Sequence, residues 1–387
     1  MRRKPGQLSK RRKLPQLILG IAFSGLLIPG TLDAQEPSTL VEFLYPELAN
    51  YLKAFEVVQA AIIEEIILTN ESPQSEIGKE LLREQLEELA ETKGSHYHTA
   101  GNHLAMLGPY RVFESRATPG LVAMLRRQHD QVEADTALAA SGAITPAAVT
   151  VLRRGHDFIH QLIEIYLDGS ILDKKLAVDE AVSTYLADDG SSMATDPKSS
   201  DLLSEHPYAY AYRVGFPQLS GLNWAAQWLE LATLEVLITT TGDEIAREEA
   251  MATVLTLYND KIARAHNSLV SLPSDIPSVP VIAPNLYSAH SEAAVIIDNL
   301  SAFRIALGDI LAHPDVADRA SATDTLVAQF TNKSTELTAE IDYLLYVLRG
   351  GIYNQGGPAK GGMVDSERNR SRSSLENPHV SNLPMPF

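Results

Sequence analysis

Apolar side chains recur every three to four residues along most of the chain, and no run long enough for a strand shows a two-residue alternation. Such a pattern restricts the fold to helices packed on helices, because each helix must cover its apolar stripe with another. The spacing predicts helices over 40–69, 74–92, 97–107, 119–140, 146–170, 174–187, 220–240, 243–271, 286–312 and 315–349. Their stops and starts describe an all-α, antiparallel helical bundle of about ten helices. Thr118-Pro119, Thr145-Pro146 and His313-Pro314 read as helix starts with proline at the first helical position.

Two stretches interrupt the periodicity. Residues 188–219 form a loop longer than ordinary helix connections, rich in aromatic residues at Tyr208, Tyr210, Tyr212 and Phe216. It either separates two four-helix halves, 35–187 and 220–349, or lies across the bundle with its rings packed down. The prolines at 273, 277, 280 and 284 suggest an extended crossover over 272–284. Beyond Gly350 the chain turns glycine-rich and then Ser/Arg-rich, so 350–387 is expected to be a disordered tail.

The first 34 residues have a different character. Seven basic side chains lie within residues 1–13, followed by an apolar run from Leu14 to Ile28 broken by Pro15, Gly20 and Ser24. A basic start followed by a short apolar segment is the pattern of a cleaved export signal, here with cleavage expected after Ala34. The run is too short and too broken for a permanent span, and none follows it. The expected location is therefore periplasmic or secreted. Arg11-Arg12 leaves twin-arginine export open beside the general secretory route.

Loss of the seven basic and one acidic residue of that segment moves the formal charge from −17 to −23. A surface this negative repels nucleic-acid phosphates and anionic lipid, which leaves a small molecule, a metal or another exported protein as partner. The chain has no cysteine. Disulfides, thiolate metal sites and iron–sulfur clusters are thereby excluded, and any transition metal must use histidine, carboxylate or methionine.

Several polar residues fall on apolar helix faces. On 146–170, Val149, Leu152, Ile159, His160, Ile163 and Leu167 lie within about 60° of His156, and Glu164 continues the row of the two histidines. Two histidines four apart on a helix can share one metal ion. Buried histidines hydrogen-bonded to neighbouring helices would produce the same pattern. His266 falls on the apolar face of 243–271, Arg304 joins Leu300 and Leu307, and Lys333 and Glu340 flank Leu337. Buried charges need partners or a ligand, so Arg304, Lys333 and Glu340 are candidates for lining an internal polar pocket. The densest histidine cluster, His96, His98 and His103 with Met106 nearby, is a second candidate site for zinc or copper.

Motifs that would assign a reaction are absent or broken. His129-Asp130 and His156-Asp157 resemble the dipeptide of HD phosphohydrolases, yet Asp157 turns about 100° from His156 and no later Asp is singled out. Gly101-Asn102-His103 begins the G-x-H-x-x-E of imelysin-type proteins, but Met106 stands where Glu is required. No G-x-S-x-G elbow, phosphate-binding glycine loop or paired E-x-x-H occurs. The reading that remains is an exported helical binding or interaction protein with an internal polar pocket, able to hold a divalent metal. The alternative is a metal-dependent hydrolase or oxidoreductase that uses the same histidines.

Overall fold

The computed structural model describes residues 39–91, 108–265 and 276–349, which belong to one unit spanning Thr39–Phe387. The expected export signal and tail therefore lie outside the described residues, as do His96, His98, His103, Met106 and His266. Among the described residues there is no strand, only an isolated bridge between Lys198 and Leu337. None of their helices is long and apolar enough to cross a membrane.

The helices in chain order are α1 (Leu40–Leu44), α2 (Pro46–Glu71), α3 (Glu76–Glu91), α4 (Arg111–Arg126), α5 (Gln131–Ser141), α6 (Pro146–Leu167), α7 (Lys174–Leu186), α8 (Asp201–Ser204) and α9 (Ala211–Gly215). They continue with α10 (Pro217–Thr239), α11 (Glu244–Ala265), α12 (Val279–Ile282), α13 (Pro284–Ala289), α14 (Ser291–Ala312), α15 (Arg319–Thr331) and α16 (Glu340–Arg349). Local chemistry sets many of these starts. Thr145 caps α6 through its side chain with Pro146 behind it, and Asp130, Asp173 and Asp318 cap α5, α7 and α15.

Four helices, α2, α6, α10 and α14, form the centre. Both α2 and α6 pack against α10 and α14, so each central helix touches two of the others. Around them, α4 and α5 cover α2, α7 covers α6, α11 covers α10, and α15 covers α14. Helices α10 and α14 are surrounded on all sides: Leu219–Leu237 and Ala293–Ala312 are buried without interruption. An interior helix has no solvent face, so its sequence is apolar all round.

The structure differs from the periodicity in several places. Pro119 does not start a helix but lies inside α4, which begins at Arg111. That earlier start is anchored by Glu114, whose carboxylate accepts from the backbone N–H groups of Gln218 and Leu219 at the entry to α10. Pro314 follows the end of α14 instead of opening a helix, and Arg319 covers the freed carbonyls of Leu311 and His313. The expected helix 315–349 is broken at Asn332, whose side-chain oxygen accepts from the N–H groups of Ser334 and Thr335 and turns the chain. The crossover contains one short helix, α12, in its described part, and α13 begins at its last residue.

Residues 188–219 pack down onto the core. Met193, Tyr212 and Phe216 are fully buried, and Asn299 of α14 donates to the carbonyls of Ala194 and Asp196 while accepting from Lys198 N–H. The Tyr212 ring lies directly on Gly308, where any Cβ would overlap it. Both are buried in a close-packed interior with nowhere to move. Gly308→Ala should therefore lower stability by about 1–3 kcal/mol in urea unfolding; a change within error would show that the loop yields freely.

Candidate metal centre

The side chains that α2, α6, α10 and α14 direct at one another are not all apolar. Helix α2 supplies Glu56 and Gln59, α6 His156 and His160, α10 Glu230, and α14 Arg304. All but His160 are buried, and the Nε2 atom of His160 is itself shielded from solvent. Glu56, His156 and His160 each offer a ligand atom, and these three atoms lie within 4.8 Å of one another. The two imidazole centroids are 6.3 Å apart.

The remaining groups hold His156 in place. Its Nε2 lies 3.2 Å from Gln59 Oε1 and 3.3 Å from Arg304 Nη2, its Nδ1 lies 3.4 Å from Glu230 Oε1, and Phe55 meets its ring edge-on at 5.0 Å. Arg304 Nη1 donates to Glu230 Oε2 at 3.4 Å, and its guanidinium lies 5.2 Å from the Phe55 ring centre. Arg304 and Glu230 therefore form an ion pair shielded from bulk solvent.

Burial sets the protonation states. It pushes the Glu56 carboxyl up to about 7, with His160 pulling weakly the other way. Burial lowers the pKa of both histidines, and Arg304 lowers that of His156 further, so both imidazoles are neutral at physiological pH. Glu230 experiences the same desolvation, but Arg304 and His156 outweigh it and hold the carboxylate below its usual range. Neutral imidazoles beside a carboxyl that ionises near neutrality are the protonation states that divalent metal binding needs.

A small cavity adjoins this group, lined by Gln59, Ile63, Tyr212, Asn223, Arg304 and Gly308. It is large enough for about one water molecule. Several buried polar atoms around the seam have no hydrogen-bond partner, among them His156 Nδ1, His160 Nε2, Glu230 Oε1, Arg304 Nε and both amide atoms of Gln227. Buried polar groups are normally satisfied, and so many orphans in one seam point to ions or water between the helices.

The structure gathers only part of the set expected from sequence. His156, His160 and Arg304 come together. Glu164 does not join them: its two carboxylate oxygens accept from the backbone N–H groups of Leu40 and Val41, capping α1 at 3.0 Å each. Lys333 sits in the connection between α15 and α16, where it pairs with the exposed Asp189. Glu340 opens α16 and accepts from the Tyr287 hydroxyl at 2.6 Å. Neither approaches Arg304, because the turn at Asn332 removes the continuous helix that had put them on a core face. Periodicity missed Glu56, Gln59 and Glu230. Their signal is the polar residue inside a helix that is apolar on every side, as in the row Asn223, Gln227 and Glu230 of α10, all buried.

Two outcomes test these electrostatics. A carboxyl that keeps its proton to about pH 7 when folded, against 4.5 when free, favours the folded state below pH 4.5 and loses that advantage as pH rises through 7. In chelator-treated protein, Glu56→Gln should thus resist urea better than the parent at pH 8, by roughly 1–3 kcal/mol, and equal it at pH 4. Parallel pH curves for the two proteins would refute the assignment. Arg304→Met strands the Glu230 charge and should cost about 3–5 kcal/mol in urea unfolding at pH 7, much of it recovered by adding Glu230→Gln; no recovery would place the loss in packing.

Comparison with known protein families, curated proteins and solved structures finds no match to this chain. Its function must therefore be read from the site.

Proposed function

We propose that this is an exported helical binding protein, built as an antiparallel bundle, that holds a divalent transition metal between its central helices. The observation that carries this reading is the convergence of Glu56, His156 and His160, with ligand atoms within 4.8 Å of one another. Tetrahedral zinc bound at about 2.0–2.1 Å keeps two ligands roughly 3.4 Å apart, so side-chain movements of on the order of 1 Å close the site. A donor set of imidazole and carboxylate without thiolate or thioether favours zinc over copper in its reduced state. Export rests on the basic and apolar character of residues 1–34.

A metal-dependent hydrolase or oxidoreductase is the second reading. It would require a coordination position open to water or substrate, and the small cavity beside Gln59 and Arg304 is the nearest space that could supply one.

Full-length protein, stripped with a chelator and returned to zinc, should hold one zinc per chain by elemental analysis. Its melting temperature should also rise, because a ligand at 100 times its dissociation constant adds about 2.7 kcal/mol to the folded state. His156→Ala combined with His160→Ala should abolish both effects while leaving the helical circular dichroism intact. Failure of the parent protein to hold stoichiometric zinc or copper would falsify the metal reading.

A further inference from the structure

We infer that Glu230 is the fourth ligand of this metal, so that two imidazoles and two carboxylates close the site and leave no position for a reacting water. The inference rests on the metal reading above and deepens it, because it separates a binding protein from an enzyme.

His156 Nδ1, His160 Nε2 and Glu230 Oε1 are all shielded from solvent, and His160 Nε2 makes no hydrogen bond. His156 Nδ1 and Glu230 Oε1 stand 3.4 Å apart. Two ligands about 2.0–2.1 Å from one tetrahedral ion are separated by roughly that distance. The other nitrogen of His156 is already engaged, since Nε2 faces Gln59 Oε1 and the Arg304 guanidinium at 3.2 and 3.3 Å. A cation on that side would meet Arg304, whereas a cation at Nδ1 meets a carboxylate. Arg304 can only donate to Nε2, so in the metal-free protein the ring proton sits on Nδ1 and faces Glu230 Oε1; a metal at Nδ1 takes that proton's place and sends it to Nε2, where Gln59 Oε1 accepts it.

Arg304 holds Glu230 for this role. It binds Oε2 and leaves Oε1 directed at the histidine. Its positive charge also offsets one of the two carboxylates, which limits the charge that the metal must neutralise. Glu230 stands outside the Glu56–His156–His160 triangle, so ligation requires its side chain to turn inward by rotation about its own torsions.

Cobalt(II) is the probe, loaded into the chelator-stripped full chain. Four-coordinate cobalt absorbs visible light strongly and six-coordinate cobalt weakly. The expected result is the intense spectrum, unchanged by added azide, with Glu230→Gln losing that intensity and binding cobalt about 10–100-fold more weakly. Three results overturn the proposal: a weak spectrum in the parent protein, a shift with azide that reveals an exchangeable ligand, or a Glu230→Gln variant whose spectrum and affinity match the parent. The azide titration decides the matter even if Glu230→Gln does not fold. Any of those results with cobalt stoichiometrically bound leaves the metal reading standing, whereas absence of bound cobalt and zinc overturns both.

Discussion

The buried pair of Arg304 and Glu230 is the interaction around which the interior is organised. Neither charge reaches water, and desolvating two ions costs several kcal/mol each unless their geometry and surroundings return it. Here the surroundings include a histidine on a third helix, a glutamine on a fourth and the face of Phe55. Apolar side chains of similar volume would fill this space with less risk. A polar seam that engages all four central helices therefore restricts how they can slide or rotate, since any change of register strands a charge.

The outer layer follows from this centre. Helices α2, α6, α10 and α14 also meet through apolar groups such as Leu300 on Gly155, and the peripheral helices extend the same core outward. The aromatic stretch 188–219 belongs to this layer: Tyr212 N–H and Arg213 both donate to the buried Asp309 of α14, and Asn299 secures the segment further upstream. A connection this long remains ordered when its backbone groups find partners on the core.

How much of this was legible in the sequence depended on the kind of helix. The all-α class followed from periodicity alone. Helix α6 has a wet and a dry face, so its wheel placed His156 correctly in the interior, and Arg304 stood out as a charge among leucines. Helix α10 is apolar in every direction, and a wheel has no face to choose there. Glu230 was consequently hidden, although a carboxylate in such a helix is itself conspicuous. Glu164 misled for the opposite reason: it continues the histidine row, but its position near the end of α6 brings it to the start of α1, where two backbone N–H groups take it. Lys333 and Glu340 were misplaced because one asparagine side chain outcompeted the helix for the backbone, a local event that apolar spacing does not register.

The complete burial of His156 also bears on kinetics. No channel from solvent needs to exist for the ring to change its occupant, but some opening of the helices must precede the change. Exchange of any solute at this position, a proton included, is then gated by the frequency with which the four helices part. Such a site equilibrates slowly when the fold is stable and quickly when it is loosened. Its occupancy would reflect the conditions under which the chain closed more than those it meets afterwards.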